Sequence, residues 1–259
     1  MNDHRRLRSG PLWALYERVA MHIGLGSLAA LCLAWLPFAM LLHPLLPAPL
    51  GQRVGRRAIM LGFRFYLRIL STLCACRFDL SELDGLRDKG PLVIAANHPS
   101  LLDAVLIISR LPNVICVMKA SLMDNLLFGS AARLARYIRN DGVMQIVGQS
   151  RDGLQAGGQV LIFPEGTRTT AFPINPLTLT LGMIASRAKA PVQTVILEFS
   201  TPYLGKAWPL FRRPELPLHV RARLGRRFDI PTDFTAFTQE LDAYFRREIV
   251  PPTEPAQDD

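Results

Sequence analysis

The sequence predicts an α/β domain with a mixed, mostly parallel sheet flanked by helices, carrying an N-terminal hydrophobic and amphipathic helical membrane anchor. Three observations predict it. From Phe78 onward, short apolar runs alternate with stretches of helical periodicity, as strands separated by helices do. Between Arg18 and Arg53 there is no Asp, Glu, Lys or Arg. Immediately after, arginines recur at helical spacing. These features divide the chain into a membrane-associated helical region over 1–76, an α/β domain over 77–250 and a disordered tail over 251–259, "PPTEPAQDD", rich in proline and acid.

The uncharged interval exceeds the roughly 20 apolar residues that cross a bilayer. Pro37, Pro44, Pro47 and Pro49 interrupt its second half, because each removes a backbone donor. Arg5, Arg6, Arg8 and Arg18 flank it on one side and Arg53, Arg56 and Arg57 on the other. The preference of basic flanks for the cytoplasm pulls both ends to one face, which a re-entrant hairpin satisfies and a single span does not. A plain span and a signal peptide are the alternatives; the stretch is long for the latter and lacks a clean small-residue cleavage site. In Gln52–Ser71, at about 100° per residue, Arg53, Arg57, Arg64 and Arg68 share a narrow arc, with Ala58, Ile59, Phe65, Tyr66 and Ile69 opposite. That pattern suits an interfacial helix with guanidinium groups at lipid phosphates, or equally a surface helix with its apolar face on a protein core. The location expected is the cytoplasmic face of the inner membrane, monotopic or single-span.

In the domain, Pro91–Asn97, Asn113–Lys119, the run "QVLIFPEGT" ending at Pro164, and Val192–Phe199 are apolar or β-branched and read as strands; "LHVRARLGRRFDI" alternates like a more exposed one. Helices are expected from Pro99 or Ser100, in "MDNLLFGSAARLARYI", around Ser150–Ala156, late in "LTLTLGMIASRAK", and after Thr232 or Asp233 as a cap.

Composition narrows the function. Hydrophobic residues make up 49% of the chain and the net charge is +9, so an anionic surface or substrate is a natural partner. Aromatic residues do not interleave with the basic ones, and nucleic acid is not an expected partner. Cys32, Cys74, Cys76 and Cys116 form neither a disulfide framework nor a zinc pattern, which fits a reducing compartment and no metal. The G-x-G-x-x-G, Walker and G-x-S-x-G patterns are missing from the sequence.

Ligands of α/β sheets gather beyond the carboxyl ends of strands, and two expected strands end in polar clusters. The first is Asn97-His98-Pro99-Ser100-Leu101-Leu102-Asp103. With His98 in the turn and Asp103 one turn into a helix, the imidazole folds back onto the carboxylate, which fixes its tautomer and leaves the other nitrogen as a general base. Asn97 and Ser100 join the candidate substrate-binding set. Alone, His-x4-Asp is equally a helix-capping feature. The second cluster is Phe163-Pro164-Glu165-Gly166-Thr167-Arg168. Gly166 permits close backbone approach, Thr167 offers a hydroxyl and an amide, and the Arg168 fork matches phosphate oxygens. Glu165 is placed to orient Arg168 or a ligand hydroxyl. Alone, this too is a turn with a surface salt bridge.

Together, "NHPSLLD" and "FPEGTR", each ending a strand and in this order, resemble the NHxxxxD and FPEGTR blocks of the glycerolipid acyltransferase family, over about Pro91 to Phe199. The resemblance implies an O-acyltransferase of the 1-acylglycerol-3-phosphate type. His98 and Asp103 would be catalytic. Glu165, Gly166, Thr167 and Arg168 would hold the acceptor's phosphate. Lys119, matching a lysine common there, would face the developing thioester oxyanion. Membrane lipids and an acyl-carrier-protein or coenzyme A thioester are the implied partners, with no resident cofactor; the oligomeric state is left open. This sequence departs from the family at three places. "YIRNDGV" puts Arg139 one position early and Asn140 where an arginine is expected, no lysine precedes Gly182, and Thr194 replaces the second proline of the block that Pro191 begins. An acceptor without a phosphate, such as a lyso-ornithine lipid or a polyene-type lipid, is therefore an alternative, as are a thioesterase or lipid hydrolase using the same pair on water and a non-catalytic lipid-binding protein.

Overall fold

In the computed structural model, residues 10–209 and 211–250 are described; the basic cluster Arg5, Arg6 and Arg8 and the expected tail over 251–259 lie outside them. Seven strands form one sheet: β1 (Cys76–Asp79), β2 (Leu92–Ala96), β3 (Val114–Lys119), β4 (Ile138–Asn140), β5 (Gln159–Ile162), β6 (Val192–Phe199) and β7 (Leu218–Phe228), in the order β1-β7-β6-β2-β5-β3-β4. Every pairing is parallel except β6 with β7. The mixed, mostly parallel sheet is as the alternation of the sequence predicts.

The central strand shows why the sequence folds this way. All five residues of β2 are buried, so the run is apolar without alternation, as a strand covered on both faces must be. Leu92, Ile94 and Ala96 face one core, shared with the two N-terminal helices; Val93 and Ala95 face the other, filled by Ile146, Ile184, Leu241 and Phe245. The second layer is made by α6 (Val143–Gln155), α7 (Thr180–Ala188) and α8 (Phe234–Glu248). Asp233 caps α8, accepting from the Thr235 and Ala236 amides at 2.7 and 3.2 Å. On the first face lie α1 (Pro11–Leu45), α2 (Ala48–Leu73) and the short α3 (Asp103–Ile108); α4 (Ala120–Asp124) and α5 (Leu126–Leu134) follow β3.

Three expectations are corrected. Helix α1 runs unbroken through Pro37 and Pro44: Pro37 forfeits one bond in a 35-residue ladder and Pro44 lies in the last turn. Pro47 and Pro49 sit at the start of α2, where a missing N–H goes unnoticed. The segment read as one helix to Ile138 splits, because Asn125 caps α5 and Ile138–Asn140 pairs with β3 as an edge strand. The helix expected near Ser150 starts at Val143.

Helices α1 and α2 form a hairpin across the two-residue turn Leu46–Pro47. The apolar face of α2 does not look outward: Ile59, Tyr66, Leu67 and Leu70 are buried in the domain core, while Arg53, Arg57 and Arg68 are exposed with Leu61 and Phe65. Arg56 is buried and donates to the Ala135 carbonyl at 3.1 Å and to Asn113 Oδ1 at 2.7 Å. Beside it, a Cβ on Gly55 would lie 2.7 Å from the Ala135 nitrogen, so α2 touches the domain backbone to backbone. Only 6% of the most apolar window of α1 is buried, leaving Leu33, Phe38, Leu41 and Leu45 exposed. Near its other end the buried Glu17 accepts from the Leu216 amide at 3.3 Å and pairs with Arg213.

Candidate active site

The two polar clusters meet at the carboxyl ends of β2 and β5, which are parallel neighbours. The Asn97 side chain continues the β2–β6 pairing beyond the strand. It donates to the Leu197 carbonyl at 2.9 Å and accepts from the Leu197 amide at 2.8 Å. The chain then turns. Ser100 Oγ accepts from the Leu102 amide at 3.1 Å, and the Leu101 amide donates to the Leu204 carbonyl at 3.1 Å. These bonds hold Pro99–Leu102 out of the helix, so α3 begins at Asp103 and not at Pro99 or Ser100.

The turn brings His98 Nδ1 to 2.7 Å from Asp103 Oδ2. The same oxygen accepts from the Ser100 amide at 2.8 Å. The His98 ring stacks on Phe163, centroids 3.9 Å apart and planes 14° apart. One ring nitrogen is thus tied to the carboxylate, one face is covered by an aromatic wall, and Nε2 is left as the proton acceptor. Asp103 is 0% exposed. Burial pushes its carboxyl up to about 6, against the pull of the His98 and Ser100 hydrogen bonds, with the Glu165 charge adding to the rise. Its Oδ1 has no hydrogen-bond partner among the described residues. A carboxylate kept this dry gains most when the adjacent imidazole becomes positive.

The second cluster is a tight turn. The Gly166 amide donates to the Phe163 carbonyl at 3.0 Å, and Gly166 has φ +67°, a left-handed conformation that a Cβ would strain. Glu165 is buried and does not pair with Arg168. Its Oε1 accepts from the His98 backbone amide at 3.0 Å and from Thr169 Oγ1 at 2.7 Å; its Oε2 accepts from the Asn175 amide at 2.9 Å. This corrects its expected role: both oxygens bind protein, and Glu165 ties the two clusters together. Asn97 spends both side-chain polar atoms on Leu197 of β6, and Ser100 Oγ accepts from the Leu102 amide within the His98 turn.

Arg168 is half-committed. Its Nη1 donates to the Leu204 and Gly205 carbonyls at 2.8 and 2.7 Å, while Nε and Nη2 bind no described residue. Burial lowers its pKa, with Asp103 opposing. Thr167, partly exposed, makes no hydrogen bond to the described residues. Lys119 is exposed at the end of β3, and the register Cys116↔Leu161 places it at the same end of the sheet as Pro164. It contacts neither cluster by hydrogen bond or ion pair among the described residues. Arg139 pairs with both Asp124 and Asp141 at the β4 edge, and these bonds raise its pKa.

Two contributors escaped the sequence reading. Phe163 opens the second cluster but was given no role at the site, although its ring stacks on His98. Asn175 holds the loop after Arg168: its Oδ1 accepts from the Thr170 amide at 3.1 Å and from the Ala171 amide at 3.2 Å, and its Nδ2 donates to the Arg168 carbonyl at 3.2 Å. A polar residue between Ile174 and Pro176 was the one signal available for it.

Comparison with known proteins matches this geometry. A family model described as Acyltransferase matches residues 77–198. The chain is 25% identical over 205 residues to a 1-acyl-sn-glycerol-3-phosphate acyltransferase of Pseudomonas aeruginosa, covering 76% of each. It is 30% identical over 105 residues to a protein of the same name from Helicobacter pylori, covering 37% of this chain and 44% of that one. In fold it matches the crystal structure of the 1-acyl-sn-glycerophosphate (LPA) acyltransferase PlsC from Thermotoga maritima with a TM-score of 0.61 at 14% identity, over 90% of this chain and 96% of that one.

Proposed function

We propose that this chain, an acyltransferase matching the Acyltransferase family model over residues 77–198, moves a fatty acyl group from an acyl-carrier-protein or coenzyme A thioester to the hydroxyl of a lysophospholipid such as 1-acylglycerol-3-phosphate. The observation that carries this reading is the 2.7 Å bond between His98 Nδ1 and the fully buried Asp103. His98 Nε2 takes the proton of the acceptor hydroxyl as its oxygen attacks the thioester carbonyl. The C–S bond then breaks, and the departing thiolate takes the proton back from Nε2. Asp103 stabilises the imidazolium between the two transfers. The free Nε and Nη2 of Arg168, with Thr167, are the groups that would meet the acceptor's phosphate.

A membrane seat completes the proposal. Leu33, Phe38, Leu41 and Leu45 of α1 lie in the acyl region, and Arg53, Arg57 and Arg68 of α2 meet headgroups at the cytoplasmic face of the inner membrane. Glu17 near the start of α1, and Gly51 at the start of α2 just past the turn that ends α1, are both held to the same domain, which supports a monotopic seat over a single span. A second reading, an acceptor without a phosphate such as a lyso-ornithine lipid, is favoured by one observation: Arg139 is closed off between two aspartates.

The test uses the purified full chain, labelled acyl donor, and a panel of lyso-acceptors in vesicles, beside His98→Ala. Transfer in the wild type and a loss of about 10²–10⁴ in the variant are expected, the worth of a general base. Undiminished transfer by His98→Ala overturns the mechanism, and acyl release without any acceptor points to a hydrolase.

A further inference from the structure

A groove of about 790 Å³ opens beside the His98 turn, on the β6 side of it. It begins at Asn97 and Pro99, which bracket His98, and at Thr169, whose amide donates to the His98 carbonyl at 2.7 Å. Its far floor is the outer face of the β6-β7-β1 end of the sheet. Two cross-strand rows lie there, and their charges differ. In one, Arg221 pairs with Asp79 and with Glu82, and Glu198 pairs with Arg223, so the row is neutralised. In the other, Arg77 stands opposite His219 in register, and neither has a carboxylate partner among the described residues. Ser200 adjoins them: its Oγ accepts from the His219 amide at 3.0 Å, so its own O–H remains a donor. The walls are apolar, with Phe172 62% exposed.

We propose that this groove holds the phosphate-bearing arm of the thioester donor, with the phosphate on Arg77, His219 and Ser200. The proposal rests on the acyltransferase reading above. Distance assigns the ligand. The strand order places β7 two strands and β1 three strands from β2, or roughly 10 and 14 Å at the usual strand spacing. A glycerol-phosphate acceptor carries its phosphate only a few bonds from the hydroxyl that must reach His98, so its phosphate belongs near Arg168. A pantetheine thioester separates its sulfur from its phosphate by two amide-linked segments. That arm matches the reach of about four extended peptide-like units that the interval requires. Its methyl-bearing, amide-bearing body suits aromatic walls, and its anionic end suits the one uncompensated pair of basic side chains on the floor.

Two measurements test this on the full-length protein. The first is calorimetric binding of 4′-phosphopantetheine and of pantetheine to the wild type, His98→Ala, the exposed double variant Arg77→Ala/His219→Ala, and Arg151→Ala as a control of equal charge. The second is the KM for acyl-phosphopantetheine and for the lyso-acceptor. The groove assignment expects tighter binding of the phosphorylated arm by the wild type and by His98→Ala. In the double variant that preference is lost and the donor KM rises about ten-fold, the worth of one good charged contact, with the acceptor KM and the control unchanged. No phosphate preference in the wild type, or an unchanged donor KM in the double variant, overturns it. A rise confined to the acceptor KM assigns the anion to the lipid headgroup and also overturns it. Wild-type protein that binds the phosphorylated arm but transfers nothing would count against the transfer reaction and leave the groove standing.

Discussion

The backbone amide of His98 donates to the Glu165 carboxylate at 3.0 Å, joining residues 67 apart in the chain. Through that bond the β5 turn sets the position of the β2 turn. Glu165→Ala leaves three donors at the site without an acceptor: two backbone amides and the Thr169 hydroxyl. Unmet buried donors cost about 1–3 kcal/mol each, so a drop in denaturation midpoint and a fall in kcat with little change in KM are expected. Glu165→Gln keeps one carbonyl oxygen and should recover part of both. A variant with normal kcat and raised acceptor KM would instead mark Glu165 as a ligand contact.

Asp103 makes catalysis and stability pull in opposite directions. Its folded pKa, about 6, lies above the ordinary carboxylate value. Its contribution to stability is therefore greatest below that ordinary value and is lost as pH rises toward about 6. Activity needs the ionised form and should fall as pH drops through about 6. Asp103→Asn should cut kcat by about 10²–10⁴, while unfolding at pH 8 shows stability held or raised. A variant strongly destabilised at pH 8 would show that the carboxylate's hydrogen bonds outweigh its burial.

Arg168 commits Nη1 to the Leu204 and Gly205 carbonyls and leaves Nε and Nη2 for the proposed phosphate contact. Lysine can reach the Leu204 and Gly205 carbonyls with one ammonium group but cannot also present a second pair of donors. Arg168→Lys should therefore keep the thermal midpoint within a few degrees and raise the acceptor KM about ten-fold, one charged contact. Arg168→Ala should lower the midpoint and raise the acceptor KM. Steady-state kinetics with phosphate-bearing and phosphate-free acceptors separate the two effects: the Lys variant should lose discrimination between them.

The exposed face of α1 gives a prediction independent of chemistry. Phe38→Lys and Leu41→Lys replace outward-facing apolar side chains. Each should weaken co-sedimentation with anionic vesicles by about ten-fold or more, the scale set by about 2.5–3.5 kcal/mol for a lysine deep in a bilayer. Circular dichroism should be unchanged. Undiminished vesicle binding would locate the membrane seat elsewhere.

What could be read from the sequence followed the strength of local signals. Val192–Phe199 was legible to the residue, because a short run dominated by β-branched and apolar residues, bounded by Pro191 and Ser200, favours a strand. The cap was legible to within one residue, Thr232 or Asp233, because the Asp233 side chain accepts from an amide only two residues away. The His98–Asp103 pair was legible from the NHPSLLD and FPEGTR blocks taken together, and Pro99 removed the unbroken helix that would have kept the two side chains apart. Ile138–Asn140 was not, since three residues following a helical pattern carry no period of their own and are made a strand by β3 alone. Nor were the duties of Glu165 and Arg168. Their partners, the His98 amide and the Leu204 carbonyl, are backbone atoms far away in sequence, and backbone atoms leave no mark in composition.

The packing of Gly55 and Arg56 against Ala135 has a consequence for traffic between bilayer and enzyme. With no slack between that helix and the domain, the hairpin is no hinge; it works as a fixed keel. In the membrane seat proposed above, the height of the imidazole over the lipid plane would then be a constant of the architecture. In the proposed membrane seat, an acceptor would climb partway out of its leaflet to be acylated, and how easily each lipid makes that climb would become part of the selectivity.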